Sequence, residues 1–413
     1  MWHRKDNKMR FTVNRKIMLE HLKTMASMIP KSSAIPEFKG FLVEANEDDG
    51  YLYLTANNFE AAIQRKLAVG IEAGGFFVMD ARMLMGILSH LGGDDTCFEM
   101  ENAGSVKISA ENCTYTMNVL DGKTFPRPEI PFPDGTVKVS GIKKLYGKTS
   151  NAAHKDTTNI LNSIHIEITP KGITATGCDS RCIAQARLEQ DCGGSMDFTV
   201  SKATLSYLAT AAGDEELEVG KSGNFIIFMK DGMLFSAKKL AEEYVNTGMI
   251  LDSLKPMYEA KLEFKDFKEQ VQNASNISAM GVENSYVRLD FGEEKITLST
   301  TNDVGCATYS VDAVRIGGDT GHSYYYPSVM LKDIFRTVDG TMILSLDKRG
   351  YLLVFNKYDK YLLTPMTGSA VEKQVLKYEE QKKKARSGVS EKTAKKTGTA
   401  KKKTTELCQN KAA

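Results

Sequence analysis

The sequence of 413 residues contains no long apolar run and none of the usual signals of membrane insertion or export. No stretch approaches the ~18 consecutive apolar residues that a membrane-spanning helix needs. The opening residues, MWHRKDNKMRFTV, lack the apolar segment of a secretory signal peptide. We therefore expect a protein of the cytoplasm, without a membrane partner.

Cysteine gives no sign of a disulfide framework or a metal site. The seven cysteines are spread along the chain without regular spacings, which favours reduced thiols. The closest pair, Cys178 and Cys182 in CDSRC, has no second pair and no histidine at zinc-site spacing. We expect no metal and no cofactor, and an enzyme that uses Cys178, Asp179 and Cys182 around a metal ion stays as an alternative.

Catalytic motifs are also missing. The sequence has no phosphate-binding glycine loop, no HExxH and no nucleophile elbow, and its six histidines are scattered. The acid pairs Asp94-Asp95 and Glu215-Glu216 fall at predicted turns, where solvated carboxylates are expected. These absences favour a non-catalytic binding protein.

Charge is unevenly placed along the chain, although the formal net charge is only +2. From Ala370 onward there are twelve Lys and one Arg against five Glu, so the rest of the chain is net acidic. Residues 369–413 have almost no apolar side chains after Leu376, and this composition predicts disorder. A solubilising extension and an electrostatic tether for nucleic acid both remain open for this tail.

A strand-helix-strand pattern occurs three times. It reads FVMDARMLMGILSHLGGDDTCFEM from Phe77, FTVSKATLSYLATAAGDEELEV from Phe198 and YPSVMLKDIFRTVDGTMILSL from Tyr326. Each copy has a short apolar strand, a helix with apolar positions three apart, a turn rich in Gly and Asp, and another strand. The corresponding positions are Leu84, Leu205 and Leu331, then Ile87, Leu208 and Ile334, with Asp80, Ser201 and Pro327 expected at the helix starts.

A second set of strand-then-helix segments precedes these copies, beginning at Arg10, Val137 and Lys261. Its expected helix caps are Asn14, Ser140 and Asp266, and Met18, Leu19, Leu22 and Met25 form the apolar stripe of the first helix. A period of about 110 residues indicates a repeated domain rather than a solenoid repeat. We predict an N-terminal extension over 1–8 and three similar α+β domains over 9–127, 136–253 and 260–368, each with two helices packed on antiparallel sheets.

Basic side chains occur on the polar faces of these predicted helices in all three repeats. Any one of them alone would be an ordinary solvated lysine or arginine. Together, in a body that is net acidic, they predict a lining for the phosphate backbone of DNA that does not read base sequence. The residues are Lys23, Arg82, Lys143, Lys144, Lys148, Lys202, Lys332 and Arg336.

The chain resembles the bacterial DNA polymerase III beta subunit family, the beta sliding clamps. The resemblance extends from MRFTV at Met9 to YLLTPM ending at Met366, through YTMNVLDGKTFP, GCDSRCIA and FSAKKLAEEY. It implies a homodimer whose six domains form a ring around duplex DNA and tether the replicative DNA polymerase, so conferring processivity in DNA replication. It also implies a bacterial, nucleoid-associated location, and a polymerase and a clamp loader that bind through short peptide motifs.

The same resemblance assigns sites. It places DNA contacts at Lys31 and at His154 and Lys155, and dimer contacts at Tyr115 and Met117 on one side and at Ile277 and Met280 on the other. It also implies a partner-peptide pocket between the second and third domains. The matching positions are Leu161, Cys178, Ser180, Arg181, Cys182, Ile183, Val245, Met249, Ile250, Met330, Leu362, Leu363, Pro365 and Met366.

Two departures from the family pattern indicate a divergent member. Arg181, Cys182 and Ile183 stand where the family usually has a His-Arg-Leu run, and Val245 stands where it usually has Pro. The chain also continues beyond the Pro-Met pair at which clamps usually end. A clamp-fold paralogue that regulates or competes with a host clamp is therefore the alternative function.

Overall fold

The computed structural model describes residues 9–366 and 368, apart from 103, 112, 129–131, 281–285 and 303–304. The expected extension over 1–8 and the tail over 369–413 lie outside the described residues. The chain divides into two compact units. Unit 1 ends at Val245, and unit 2 begins at Asn246 and also includes the short segment Arg181–Ile183.

Unit 1 alternates groups of strands with four α-helices among its described residues. Its first half has β1 (Met9–Asn14), α1 (Arg15–Met25), β2 (Gly40–Asn46), β3 (Tyr51–Asn57), β4 (Ala61–Ala68), β5 (Gly70–Ala73), β6 (Gly75–Asp80), α2 (Ala81–His90), β7 (Asp95–Asn102), β8 (Ser105–Ala110), β9 (Cys113–Asn118) and β10 (Leu120–Asp121). Its second half has β11 (Val137–Val139), α3 (Ile142–Thr149), β12 (Ser163–Thr169), β13 (Gly172–Cys178), β14 (Cys182–Glu189), β15 (Met196–Ser201), α4 (Lys202–Ala212), β16 (Leu217–Ser222), β17 (Phe225–Lys230) and β18 (Met233–Lys238).

After a short first helix, unit 2 repeats the order of elements found in each half of unit 1. It has α5 (Thr247–Asp252), β19 (Pro256–Glu263), α6 (Phe264–Ser278), β20 (Tyr286–Phe291), β21 (Lys295–Thr301), β22 (Cys306–Asp312), β23 (Val314–Gly318), β24 (His322–Pro327), α7 (Ser328–Phe335), β25 (Thr341–Asp347), β26 (Leu352–Phe355) and β27 (Asp359–Leu363). The same order therefore recurs from β1, β11 and β19: a strand, a helix, a group of strands, a second helix and at least three further strands. The three domain ranges themselves stay a prediction.

The strands pair antiparallel, which confirms the α+β class. In unit 1 the strand orders are β5-β1-β7-β8-β9, β10-β6-β2-β3-β4-β18-β17-β16-β11 and β15-β12-β13-β14. In unit 2 they are β27-β26-β25-β19-β23 and β22-β21-β20-β24. The two halves of unit 1 share one sheet because β4 pairs with β18, with Arg65 opposite Met233.

Most of the predicted helix caps are confirmed. The side chain of Asn14 accepts hydrogen bonds from the backbone N–H groups of Lys16 and Ile17, and Asp80 and Ser201 cap α2 and α4 in the same way. Pro327 holds the cap position of α7. The predicted apolar stripe of α1 is buried, as are Leu84, Leu205 and Leu331.

Two predicted caps are wrong. Gly141, not Ser140, precedes α3, and its φ of 80° is a left-handed conformation that glycine adopts without a steric penalty. The hydroxyl of Ser140 instead donates to Oε1 of Gln190. α6 begins at Phe264 after Glu263, so Asp266 lies inside its first turn, where a carboxylate still complements the helix dipole.

The helices of unit 1 form one layer. α1 packs against α2 and α4, and α4 packs against α3, which gives the order α2, α1, α4, α3. In unit 2, α6 packs against α7. Within the described part of the chain, no helix has the length and apolar character that crossing a membrane requires.

Candidate functional sites: a basic helix layer and a partner groove

Most of the predicted DNA-contacting side chains lie on the helix layer of unit 1 and are accessible. Lys23 on α1, Arg82 on α2, and Lys143 and Lys144 on α3 are exposed. Lys148 and Lys202 are half-buried, on α3 and at the start of α4. One layer therefore presents cations from each of its helices.

Two of these lysines are positioned by the end of the neighbouring helix. The N–H of Lys143 donates to the carbonyl oxygen of Gly213 at 3.1 Å, and the N–H of Lys144 donates to Oδ1 of Asp214 at 2.8 Å. The first N–H groups of a helix have no acceptor within that helix, and these two bonds satisfy two such groups at the start of α3. Only backbone atoms of the lysines are used, so both ammonium groups stay at the surface.

Asp94 and Glu215, two of the acidic residues predicted at turns, are solvated and form ion pairs with lysines. The carboxylate of Asp94 lies 2.8 Å from the ammonium of Lys16, and that of Glu215 lies 2.6 Å from Lys230. Hydrogen bonds from these lysines lower the pKa of both carboxyl groups. The acids thus stay ionised and balance lysines outside the predicted DNA set.

The predicted loop contacts fall in two places in unit 1. Lys31 is exposed after the short 3₁₀ turn Ala26–Met28, and Lys155 is exposed after α3. The ring of His154 is held by its own loop, because its Nδ1 accepts from the N–H of Asp156 at 3.1 Å. Lys155 beside it carries a permanent positive charge.

Unit 2 contributes a smaller basic face. Lys332 is half-buried on α7, and Arg336 is exposed at the end of that helix. On α6, Lys268 forms an ion pair with Asp339. The exposed cations are therefore denser on the helices of unit 1 than on those of unit 2.

Most of the predicted partner-pocket residues belong to unit 2, which brings several of them together. The N–H of Thr364 donates to the carbonyl oxygen of Arg181 at 2.9 Å, and the N–H of Met366 donates to Tyr325 at 2.7 Å. These bonds fix the chain around Pro365 beside the start of α7, where Met330 is half-buried. Leu362, Leu363, Cys182 and Ile183 are buried, so they are packed inside the protein and are not exposed to a partner.

The helix α5 was not predicted from the sequence. Its N-cap Asn246 accepts from the N–H of Met249, and its side chains include Met249 at 71% exposure and Ile250 at 37%. Exposed methionine is suited to binding varied apolar partners because the side chain is unbranched and adaptable. The remaining pocket candidates lie in unit 1: Leu161 is half-buried, Cys178 is buried, and Ser180 and Val245 are exposed.

The segment that leads to Val245 is anchored by an aromatic stack that the sequence did not indicate. The Tyr244 ring lies parallel to that of His165, with ring centroids 5.4 Å apart and an interplanar angle of 11°. His165 Nδ1 lies 3.0 Å from the hydroxyl of Thr199, and burial lowers the pKa of this histidine. His165 is therefore neutral at pH 7 and packs as a flat aromatic ring.

The cysteine alternative finds no support in this geometry. Burial raises the pKa of the Cys178 thiol, so the thiolate needed for nucleophilic attack or zinc binding is disfavoured. Among the described residues, no group of three or more His, Cys, Asp or Glu side chains is arranged to hold a metal ion.

The residues predicted to form the dimer interface lie on a strand in unit 1 and at the end of a helix in unit 2. Tyr115 and Met117 are half-buried on β9, which is an edge strand of its sheet in unit 1. In unit 2, Ile277 is near the end of α6 and Met280 follows that helix with 63% exposure, whereas β22 is one edge of the sheet that packs against α6. The two apolar candidates of unit 2 therefore lie at the end of a helix and not on an edge strand.

The fold defined by these elements is that of the DNA clamps. A sliding clamp from Bacillus subtilis superposes with a TM-score of 0.79 at 18% identity, covering 87% of this chain and 99% of that one. The DNA polymerase III beta chain of Streptococcus pneumoniae gives a TM-score of 0.80 at 16% identity, covering 87% of this chain and 100% of that one.

Sequence comparison finds similarity to proteins of one kind. Residues 9–130 match the family model described as DNA polymerase III beta subunit, N-terminal domain. The beta sliding clamp of Micrococcus luteus is 22% identical over 312 residues, covering 73% of this chain and 98% of that protein. That of Synechococcus elongatus is 21% identical over 310 residues, covering 72% and 82%. The chain is therefore similar to the beta sliding clamps over most of its length, at low identity, and its N-terminal part matches the model of that family's N-terminal domain.

Proposed function

We propose that this protein is a DNA sliding clamp that encircles duplex DNA and tethers a DNA polymerase to it. The observation that carries the proposal is the clamp fold along the chain together with a layer of helices that exposes Lys23, Arg82, Lys143 and Lys144. Within the described part of the chain, none of these four side chains takes part in an ion pair, so their charge is available to phosphates.

The proposed DNA contacts are suited to sliding. Lysine and arginine on phosphates hold a duplex without reading bases, and each contact is equivalent at every step along the DNA. A ring needs only weak contacts of this kind, because topological linkage keeps it on the duplex. Lys31, Lys148, His154, Lys155, Lys202, Lys332 and Arg336 complete the proposed contact set.

Tethering is proposed to use apolar surface of unit 2. The segment around Pro365 and Met366, with Met249 and Ile250 of α5, offers apolar surface for a short peptide of the polymerase or the clamp loader. Linkage through one peptide makes rebinding of the polymerase an effectively intramolecular event. Such a tether raises processivity although each single contact is weak.

Three clamp domains per chain, 9–127, 136–253 and 260–368, would close a ring as a homodimer. β9, with Tyr115 and Met117, supplies an edge strand for that closure, and Ile277 and Met280 are the proposed apolar contacts on the other side. Burying strand edges in a dimer also removes sites of aggregation. We place this non-catalytic protein in the bacterial cytoplasm with the DNA it serves.

The test is retention on DNA of defined topology. Full-length protein is loaded with its clamp loader onto nicked circular DNA, and gel filtration then separates bound from free protein before and after linearisation. We expect retention on circles and loss from linear DNA. Equal retention on both would contradict the proposal.

A paralogue that only competes with a host clamp is not favoured by the comparisons, and it would fail to stimulate polymerase in the same reaction.

A further inference from the structure

The chain follows the same path at the end of each of the three repeats, which begin at β1, β11 and β19. It runs beside the strand that precedes the second helix of the repeat. In the first repeat the contact is a pair of antiparallel strand neighbours, and in the other two it is a backbone hydrogen bond of 2.9 or 2.7 Å. The contacted residue always stands two positions before the helix cap, so the three contacts are equivalent. They join Leu120 to Val78, Leu240 to Thr199, and Met366 to Tyr325.

After this contact, the first repeat places an aromatic side chain on its own sheet. Phe125, five residues after Leu120, is 3% exposed and packs with Leu42 of β2 and Val78 of β6. The neighbours of Leu42 along β2 belong to the main core, and side chains alternate between the two faces of a strand. Phe125 therefore covers the face of the sheet that is turned away from the main core.

The second repeat covers its sheet in the same way with a different ring. Tyr244, four residues after Leu240, stacks on His165 of β12. His165 pairs with the contacted residue of β15 and Leu42 with that of β6, so the two covered positions are equivalent. Residues 238–242 of this segment also line a groove, together with Glu60, Ser201, Thr204 and Asn224. In two repeats, the segment that follows the contact thus packs on the sheet beside which it starts.

In the third repeat, the described part of the chain leaves the equivalent face more exposed. Arg288 of β20 pairs with Tyr325, and its side chain is 43% exposed. Tyr286, two residues before Arg288, meets Tyr325 edge to face with ring centroids 5.2 Å apart, and both tyrosines are half-buried. Leu42 and Val78, which hold the places of Arg288 and Tyr325 in the first repeat, are each 1% exposed. Two rings are therefore accessible where the first repeat is covered.

The residues that follow Met366 are suited to cover these rings. Four and five residues after Met366 stand Ala370 and Val371, and the third repeat already has rings on its sheet, so an aliphatic side chain complements them. Five extended residues span up to about 17 Å, and β20 is two strand spacings, about 10 Å, from the path of Met366. The larger apolar residues beyond the described chain are concentrated near its start, at Val371, Val375, Leu376 and Tyr378.

We propose that the segment 368–376 of this chain docks on the face of β20 and β24 that carries Tyr286 and Tyr325, with Val371 against the two rings. The occupant is the chain itself, because its own segment starts beside that face and the other two repeats take the same path. Docking holds the chain on both sides of Met366, so the proposed partner surface around Pro365 is kept in place. The docking itself goes beyond the proposed clamp function and does not rest on it.

The test is limited trypsin digestion of the full-length protein, with cleavage after Lys373 followed by mass spectrometry. This bond lies inside the proposed docked segment, and a protease cuts such a bond only while the segment is undocked. Val371→Asp places a carboxylate against the rings, and we expect cleavage after Lys373 to become at least about tenfold faster. Val389→Asp makes the same change farther along the chain and should leave the rate unaltered. Equal rates in the two variants would overturn the proposal.

A change in the sheet tests the place of docking. Tyr286→Ser/Tyr325→Ser removes both rings and should speed cleavage after Lys373 about as much as the change at Val371 does. Tyr51→Ser/Tyr53→Ser removes two half-buried tyrosines of β3 in unit 1 and should leave the rate unaltered. Circular dichroism confirms that both variants fold. An unaltered rate in Tyr286→Ser/Tyr325→Ser would overturn the proposed place.

Digestion at low and high protein concentration tests whose face is occupied. A segment that docks on its own chain gives the same cleavage rate at both concentrations. Protection that increases with concentration would mean docking on a second copy and would overturn the proposal. Protection that appears only after a polymerase is added would make this face a partner surface and would overturn it as well.

Discussion

The guanidinium of Arg65 on β4 donates to the carbonyl oxygen of Ala211 near the end of α4, with Nη2 2.5 Å from the oxygen. Both residues are buried, Arg65 at 5% exposure and Ala211 at 7%. The contact ties the first half of unit 1 to the second, across the sheet in which β4 and β18 pair. It also satisfies one of the free carbonyl groups at the helix end.

Replacing this arginine by methionine should destabilise unit 1. Arg65→Met keeps much of the apolar stem but leaves the Ala211 carbonyl without its donor, at a cost of about 1–3 kcal/mol in the free energy of unfolding. Urea unfolding followed by circular dichroism measures the change. The matched control is Arg127→Met, which removes an exposed ion pair with Glu44 and should cost less than about 1 kcal/mol. Equal effects of the two changes would contradict the role given to Arg65.

Stability should fall as the pH drops below the ordinary pKa of histidine. Burial, and then the nearby charge of Arg65, lower the pKa of His21 from its usual 6.5, and burial lowers that of His165. The unfolded chain therefore takes up protons first as the pH falls through about 6.5, which favours unfolding. The stabilisation is fully present above that pH.

His21→Gln should flatten this dependence between about pH 7.5 and the lowered pKa of the folded protein. Urea midpoints measured at several pH values give the slope. His90→Gln, at an exposed position on α2, serves as the control and should keep the slope of the unchanged protein. A slope unaffected by His21→Gln and by the double variant with His165→Gln would show that other groups govern acid stability.

Removal of two lysines from the helix layer should weaken DNA binding in a salt-dependent way. Lys143→Ala/Lys144→Ala leaves the backbone bonds to Gly213 and Asp214 in place, so α3 should still form. Each lost phosphate contact lowers the slope of log K against log salt by about 0.9. Anisotropy of a short labelled duplex at several KCl concentrations measures that slope. Lys123→Ala/Lys171→Ala should leave it unaltered, and a fall of equal size there would argue against a specific lining.

Ring closure should depend on the apolar face of β9. Met117→Lys places a charge on a half-buried position of this edge strand, where desolvation opposes association. Light scattering should then report a mass near 45.6 kDa instead of twice that value. Leu120→Lys, an exposed position on β10, should not change the mass. A dimer that persists in Met117→Lys would place the interface elsewhere.

Polymerase tethering should depend on exposed methionine in α5. Met249→Asp replaces an apolar side chain of 71% exposure by a carboxylate, so folding is unaffected while an apolar peptide anchor is repelled. We expect at least about tenfold weaker binding of the polymerase in surface plasmon resonance. Met83→Asp on α2 is the control, and its affinity should equal that of the unchanged protein.

The sequence predicts the repeated parts of this fold well because similar local signals occur in each repeat. Asn14, Asp80 and Ser201 each combine a capping side chain with apolar periodicity in the following helix, and all three are caps in the structure. The start of α3 shows why the prediction of Ser140 as a helix cap was wrong. Its first donors are satisfied by Gly213 and Asp214, which are distant in sequence, and no local pattern reports such a contact.

Some residues of the candidate sites could be predicted from the sequence and others could not. Exposed lysines on predicted helices could be found because helix periodicity tells which face is polar. Leu362 and Leu363 could not be judged in this way, because their place on a strand does not tell whether their side chains are buried. The groove lined by Glu60, Ser201, Asn224 and Lys238 was missed because its walls come from four separate segments, which the pairing of β4 with β18 helps to bring together.

The capping of α3 by Asp214 bears on the order in which a growing chain acquires structure. The carboxylate that closes this helix is 70 residues downstream of Lys144. When the ribosome has synthesised α3 but not the turn after α4, the helix start has no acceptor beyond water, and a helix of 8 residues is marginal by itself. During translation α3 therefore becomes stable only after α4 has emerged, and the second half of unit 1 is completed from its later helix back to its earlier one.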